Sequence, residues 1–351
     1  MKLALLVPGR LDTVSGGYQY DRRLVAGLRE LEHEVQVVEM AGRHPLPDAA
    51  AEAGAREALA SVPTEARPVI DGLGLPAFAP LADGLRRRGA VVLIHHPTAL
   101  ETGFSEQDRV ALRRLEQALF PHTARLVATS ALTARRLREE FGVAPERLGV
   151  VEPGTDEAPR ARGSGGPQVA LLSVGALVPR KGHDVLLRAL AGLPDLDWRL
   201  TIAGGERDAV HAHGLRALAG ELGIEQRVAF AGEVDAPALE ALYAEADVFA
   251  LATHWEGYGM AAAEAMARGL PLAITAGGAI AELVPMEAGI VSPPGDVVSL
   301  TRALRRLLFD AEMRADMAEA SWAAGQRLPR WADRAAAFVA ELDAAAAGTE
   351  G

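Results

Sequence analysis

The sequence predicts an α/β protein built from two doubly wound parallel sheets, and three observations lead there. Short apolar runs without polar alternation recur along the chain, as in LALLVPG, AVVLIHH, VALLSVGA and VFALAT. Segments with apolar residues at three- and four-residue spacing separate them, which is the period of a helix lying on a core. The alternation breaks once, at the Gly/Pro/Ser-rich stretch EAPRARGSGGPQ (157–168), and then restarts. Strands that are apolar throughout are buried on both faces, as in a parallel sheet covered by helices on each side. A chain of 351 residues is long for one domain and sufficient for two, each with its own core.

Each element follows in order. LALLVPG is a buried strand, and Tyr20 to Leu31 is a helix with Leu24, Leu28 and Leu31 on one face. EVQVVEM, RPVIDGLG, AVVLIHH and RLVATS supply further strands with helical segments between them. After the break come VALLSVGA, a helix from Asp184 to Leu193, WRLTIAGG and a helix from Leu215 to Leu222. VAFAGE, a helix from Leu239 to Ala246, VFALAT, a helix from about Gly259 to Arg268, and PLAIT complete the second alternation. WADRAAAFVAELDAAAA is an Ala-rich helix beyond Pro329. The expected boundaries are 1–160 for the first domain and 161–328 for the second, with 329–351 a helix packing back toward the first.

Composition excludes several classes. With 49% hydrophobic and 24% charged residues the chain reads as a soluble globular protein. It has no cysteine, so neither a disulfide scaffold nor a thiolate metal site is available. No signal-peptide pattern and no run of roughly 20 apolar residues is present, which makes a cytoplasmic location the expectation. Residues 1–165 hold 21 Lys+Arg against 22 Asp+Glu, and the remainder 15 against 25. The net charge of −11 argues against a nucleic-acid partner. Arginine clusters at Arg86 to Arg88, at Arg113 and Arg114, and at Arg135, Arg136 and Arg138 read first as solvated helix faces. A weak contact of the first domain with an anionic membrane surface is the alternative.

Two open parallel sheets facing one another across a cleft bind ligands at the carboxyl ends of their strands, so the loops directly after strands carry the information. The loop after the first strand has no G-x-G-x-x-G, only Gly16 and Gly17 before a helix, which allows close backbone approach to an anion. The stretch ATHWEGYGMAAAEAMARGLP says more. Glu256 lies in a loop after a strand, and Glu264 lies in the following helix on roughly the face of Met260 and Ala261. Eight helical steps correspond to about 12 Å, comparable to the span from a ribose to a sugar across a diphosphate. Gly257, Tyr258, Gly259 and Met260 would offer backbone N–H groups at the positive end of the helix dipole. Carboxylates at each end suit vicinal diols. Among 36 Lys+Arg, only Lys2 and Lys181 are lysines, and Lys181 stands beside Arg180 after the first strand of the second domain.

The pattern EGYGMAAAE followed by AMARGLP resembles the E-x7-E signature of retaining GT-B glycosyltransferases of the family-4 type. The SGG loop, LIHH, VEPGTD, SVGALVPRKG, IAGGE and GGAIAELV extend the resemblance in order along most of the chain. It implies two facing Rossmann-like domains, the first for the acceptor and the second for a nucleotide-sugar donor. Carried over by residue, it implies that Arg180 and Lys181 hold the donor diphosphate and that Glu256 lies near the transferred sugar. Backbone amides of Tyr258, Gly259 and Met260 would contact sugar or phosphate, Glu264 would bind the ribose, and Gly16 and Gly17 would close over the phosphates. A histidine at the end of the fourth strand would lie beside donor and acceptor; the doublet leaves His95 and His96, with His95 ranked first. The base would pack near Glu233 and Val234. The chain departs from the family at Pro153, Gly154, Thr155, Asp156, where Asn-Gly-Val-Asp is frequent, and in the three alanines after the Gly-aromatic-Gly turn.

The expected activity is a retaining, metal-independent transfer of a sugar from a nucleoside-diphosphate sugar to an unidentified hydroxyl. That acceptor would be a small molecule or lipid-linked, with no resident cofactor. Developing charge on the leaving diphosphate would be met by fixed cations and amides instead of a metal. The DLD at Asp195 to Asp197 precedes a strand and reads as a turn, and His122, His183, His211 and His213 read as surface or loop histidines. Alternatives are an epimerase or phosphorylase of the same fold, or a non-catalytic sugar-nucleotide-binding module.

Overall fold

The computed structural model describes residues 1–101 and 103–347. The chain forms two compact units, one of Met1–Gly154 plus the segment from Pro329 onward, the other of Thr155–Leu328. The first contains β1 (Lys2–Pro8), α1 (Gly16–Glu30), β2 (Glu34–Met40), α2 (Ala49–Ser61), β3 (Arg67–Asp71), α3 (Ala82–Arg87), β4 (Val91–Ile94), α4 (Glu106–Leu119), β5 (Arg125–Ala128), α5 (Ala131–Phe141) and β6 (Leu148–Val150). The second contains β7 (Val169–Val174), α6 (His183–Ala191), β8 (Trp198–Ala203), α7 (Ala209–Glu221), β9 (Val228–Gly232), α8 (Ala236–Glu245) and β10 (Val248–Leu251). It continues with α9 (Met260–Ala267), β11 (Leu272–Thr275), α10 (Ile280–Leu283), β12 (Gly289–Ser292), α11 (Val297–Phe309) and α12 (Ala311–Gly325). The last helix, α13 (Trp331–Ala347), belongs to the first unit.

Both sheets are six-stranded and parallel, in the orders β2-β1-β3-β4-β5-β6 and β12-β11-β10-β7-β8-β9. Each order reverses once, between β1 and β3 in the first unit and between β7 and β10 in the second. At such a switch point the loops leave the sheet in opposite directions and open a crevice outside the strand ends. The loops after β1, β3, β7 and β10 are therefore the ones positioned for chemistry.

The apolar runs bury as their sequence demands. Leu3 to Val7, Val91 to Ile94 and Val248 to Leu251 are each at most 3% exposed, so these strands are covered on both faces. Trp331, Ala335, Phe338, Leu342 and Ala345 of α13 pack with Tyr20, Leu24 and Leu28 of α1 in the core of the first unit. Gly27 is required there, because a Cβ would lie 2.9 Å from that of Ala335. The first unit thus borrows a helix from beyond the second. Boundaries fall at Gly154/Thr155 and Leu328/Pro329, and the polar stretch 157–168 is anchored to the second unit. Ala161 N–H donates to Arg268 O at 2.9 Å, Arg162 N–H to Ala244 O at 2.8 Å, and Ser164 N–H to Asp247 Oδ1 at 3.1 Å. Among the described residues no helix is long and apolar enough to cross a membrane.

Candidate functional site

The helices at the switch point of the second unit start on glycine. Away from it, α7, α8, α11 and α12 begin at Asp208, Asp235, Asp296 and Asp310, whose carboxylates accept a first-turn N–H. The helices that follow β7 and β10 lack such an acceptor. α6 and α9 begin at Gly182 (φ +63°) and Gly259 (φ +109°), with no side-chain cap. Both glycines adopt the left-handed conformation, and a Cβ on Gly182 would meet Ala252 O at 2.0 Å. Neither cap residue supplies a side-chain acceptor to the first-turn N–H groups, which lie at the positive ends of the two dipoles.

The charged side chains gather at the same place. Lys181 Nζ donates to Glu256 Oε1 at 2.6 Å, Thr253 Oγ1 donates to the same oxygen at 3.1 Å, and Arg180 Nη1 lies 3.6 Å from it. Arg180 Nη1 also donates to Trp255 O at 2.5 Å, and His254 N–H donates to Arg180 O at 2.8 Å, so the loops after β7 and β10 hold one another. The side chains of Lys181 and Glu256 are only 13% and 11% exposed. Burial raises the Glu256 carboxyl, but Lys181 and Arg180 outweigh it and hold it below the usual carboxylate range. Glycines make the packing possible: a Cβ on Gly175 would touch the Lys181 stem at 3.0 Å, and one on Gly278 (φ +82°) would lie 2.3 Å from Glu256 O. Gly278 pairs with Glu256 in an isolated parallel bridge, so GGAIAELV serves to seat the glutamate backbone.

In the first unit the switch point gathers a second polar cluster. His95 follows β4, Asp71 ends β3, and Asp21 lies in α1. His95 Nε2 is 3.1 Å from Asp21 Oδ1 and 3.8 Å from Asp71 Oδ2, with Asp21 fully buried and Asp71 nearly so. Tyr20 meets the imidazole edge-on with centroids 5.2 Å apart. Gly17 lies against the same ring, since a Cβ there would be 3.3 Å from His95 Cδ2. Burial, then the charge of Asp21, push the Asp71 carboxyl up to about 8. Burial opposes a charged imidazole at His95, but the charge and hydrogen bond of Asp21, with Asp71 beside it, prevail and raise it.

Known proteins align with these features. The model of glycosyl transferases group 1 matches residues 155–322, and that of Glycosyltransferase Family 4 matches residues 71–158. The D-inositol 3-phosphate glycosyltransferase of Thermomonospora curvata is 34% identical over 219 residues, 55% of this chain and 51% of the relative. That of Corynebacterium aurimucosum is 32% identical over 256 residues, 65% of this chain and 60% of the relative. The chain belongs to the family-4 type of glycosyltransferases. It spans about half the length of the first curated relatives it matches. Sucrose-phosphate synthase from Thermosynechococcus elongatus has the same fold, with a TM-score of 0.82 at 19% identity over 99% of this chain and 100% of that one. The Anabaena HepE protein in complex with UDP-glucose gives 0.77 at 18% identity over 97% and 99%. The fold is GT-B, two Rossmann-like α/β domains.

The residues expected to hold a donor lie as follows. Arg180, Lys181 and Glu256 form one cluster, and Gly257, Tyr258, Gly259 and Met260 run from it into α9. Glu264 is half-buried and accepts the Tyr243 hydroxyl at 3.0 Å, so the alanine-rich helix holds a hydrogen-bonded carboxylate. Because α9 starts at Met260, helical spacing applies only to the second half of the Glu256-to-Glu264 interval. Glu233 and Val234 follow β9, and a Cβ on Gly205 would lie 3.0 Å from Glu233 Oε2. Gly17 and His95 are brought together, Gly16 is exposed at the start of α1, and His96 is half-buried beside His95.

Other residues sit differently from expectation. His183 is not a surface histidine: it is fully buried at the first position of α6, and neither ring nitrogen has a partner among the described residues. Flanking Gly182 and Asp184 give it the local look of a loop residue. Asp195 lies in a turn before β8, paired with Arg305 at 2.7 Å. Asp21 and Asp71 carry no local motif. Asp21 sits between Tyr20 and Arg22 like any solvated helix residue, and Asp71 resembles a turn aspartate; its place at the very end of a buried strand is the available signal. A cavity of about 670 Å³ in the first unit, lined in part by Arg56, Arg87, Arg88 and His122, shares no residue with either cluster.

Proposed function

We propose that the chain transfers a sugar from a nucleoside-diphosphate sugar to an acceptor hydroxyl with retention of configuration and without a metal. The observation that carries this reading is the Lys181–Glu256–Arg180 cluster beside the uncapped starts of α6 and α9, at the switch point of the second unit. A diphosphate suits such a place, where two cations adjoin helix starts whose cap residues bring no side-chain acceptor. In the reaction the bond between the anomeric carbon and the diphosphate oxygen breaks, and a bond to the acceptor oxygen forms on the same face. The acceptor proton passes to the departing phosphate. Arg180 and Lys181 meet the charge that grows on that leaving group, Arg180 with a planar fork and Lys181 with a point charge on a flexible stem. Glu264, fixed by Tyr243, is suited to ribose hydroxyls, and His95, held by Asp21 in the first unit, is suited to donate a hydrogen bond to the acceptor. The neighbour with bound UDP-glucose supports a uridine nucleotide as the first donor to try. The named activity of the curated relatives supports a phosphorylated polyol as the first acceptor class.

The test is donor binding and nucleotide release across UDP-, GDP- and ADP-sugars with EDTA present, with and without inositol phosphates and simple polyols. Binding of one donor class and product formation in EDTA are expected. Absence of binding to every donor would sink the transferase reading, and dependence on added metal would sink the mechanism. Lys181→Ala and Glu256→Ala should lower transfer by at least about 100-fold, as loss of preorganised charge stabilisation does. Asp195→Ala should leave transfer unchanged.

A further inference from the structure

We propose that Asp21 and Asp71 share a single proton and act as positioning residues that keep His95 an imidazolium, leaving its Nδ1–H as a cationic hydrogen-bond donor for an oxygen of the bound ligand. The geometry leads there by elimination. Two carboxyl groups and an imidazole place their polar atoms within 4.8 Å of one another in a site where both aspartates are sealed from solvent. Two adjacent carboxylates cannot both be ionised in such a place without a large penalty. Asp71 is the one that takes the proton. The Leu73 N–H donated to its Oδ1 at 2.7 Å favours the charged form, but burial beside the charge of Asp21 outweighs it, and the neutral form can donate to Asp21. Asp21 Oδ2 is buried without another donor, which is an expensive state for a carboxylate unless the shared proton fills it. Asp21 then carries the one negative charge and accepts from His95 Nε2 through Oδ1. The trio is neutral overall, which is why it tolerates burial.

The remaining surroundings fix the ring without adding charge to it. Tyr20 packs edge-on and stays neutral, since burial raises its hydroxyl far above the ordinary range, and that hydroxyl donates to Val151 O at 2.9 Å. Arg334 of α13 places its charge near Tyr20. Thr129 donates to the His95 carbonyl at 3.3 Å, and Gly17 lies over the ring. With Nε2 committed to Asp21, Nδ1 is the nitrogen left for a ligand, on a side chain that is 23% exposed. The role toward a ligand rests on the function proposed above; the protonation state of the trio does not.

The experiment separates the two. Histidine-labelled full-length protein is titrated by NMR from pH 5 to 9 in EDTA, with His95→Gln assigning the signal. His95 is expected to be protonated at pH 7, and Asp71→Asn, which imitates the neutral acid, should leave its titration in place. Asp21→Asn should move it to lower pH by about 1 unit, the effect of losing an adjacent opposite charge. In the transfer assay the alkaline limb of the pH profile should follow the same order, with Asp71→Asn near wild type and Asp21→Asn shifted to lower pH. A neutral His95 at pH 7, an Asp71→Asn shift as large as that of Asp21→Asn, or stoichiometric uptake of a divalent cation abolished by either variant would overturn the proposal. If no donor is bound at all, the NMR titration still decides the state of the trio. Should Asp21→Asn fail to fold, the charge state of the wild-type imidazole and the Asp71→Asn titration decide it between them.

Discussion

Lys181 is one of two lysines in the chain and lies 2.6 Å from a glutamate that is itself largely buried. Removing the ammonium leaves Glu256 buried beside only the more distant Arg180, so Lys181→Met should destabilise the protein by roughly 3 kcal/mol in chemical denaturation. The double variant Lys181→Met/Glu256→Gln should recover part of that loss. If the two changes add, the pair is not coupled in the folded state. Lys181→Arg should also reduce transfer, because the stem runs against Gly175 and a guanidinium needs more room than an ammonium. His183 gives a different residue-scale test. Burial, then the charge of Lys181, lower its imidazole to about 3, while an unfolded histidine titrates near 6.5. Between those values the unfolded state binds the extra proton, so stability is full above about 6.5 and is lost as pH falls toward 3. His183→Leu should flatten that loss in melting curves taken from pH 7 to 4, and an unchanged slope would show that the buried imidazole is not its source. Glu256 adds acid sensitivity of the same sign, since its depressed carboxyl stabilises above the ordinary range and stops doing so once protonated.

At the scale of elements, the sites are built by loops that other residues hold. Glu116 in α4 accepts from Thr98 N–H at 2.6 Å, Thr98 Oγ1 at 2.9 Å and Ala99 N–H at 3.2 Å, and so fastens the turn that follows His95 and His96. Glu116→Ala strands two buried N–H groups and should lower stability by about 2–4 kcal/mol, with faster amide exchange at 98–100 as the direct readout. Gly278→Ala should lower transfer by at least about 10-fold, because the added Cβ meets Glu256 O in a left-handed backbone and must shift the glutamate. The arginine clusters resolve largely into internal pairing. Arg88 donates to the carbonyls of Leu59, Val62, Pro63 and Ala66, Arg136 pairs with Glu140 at 2.5 Å, and Arg138 with Glu139 at 2.8 Å. That pairing favours the solvated-face reading over a membrane surface.

For the whole molecule, the sequence is most legible where burial is two-sided. Runs such as AVVLIHH and VFALAT can only be central strands, and their alternation with helices then requires both sheets to be parallel. The edge strands β6 and β12 escape notice because they are short and partly exposed, so they lack an apolar run. Of the site, residues carrying a local motif are readable: Arg180 and Lys181 after a strand, Glu256 and Glu264 around a glycine turn. Asp21 and Asp71 are not, because their function is a contact between elements 50 residues apart in sequence, created by the reversal of strand order at β1 and β3. A return of 329–351 toward the first domain is expected from the sequence, but the apolar face of α13 at Ala335, Phe338 and Leu342 carries no local sign of which helix it meets. Phe338→Ala should destabilise by about 3–5 kcal/mol. The loss should appear in the unfolding of the first unit, measured by amide exchange in α1, with α6 to α12 unaffected.

That borrowed helix also sets an order of birth. Translation proceeds from the amino end, and domains tend to fold as they emerge from the ribosome. Residues 155–328 are all made before Trp331, so the second unit can close its core while the first still waits for Phe338 to cover Tyr20 and Leu24. Of the two units, the one whose strands are made earlier is the later to be finished. Until then its α1 face is bare apolar surface, and a chaperone that captures the nascent chain would find it there.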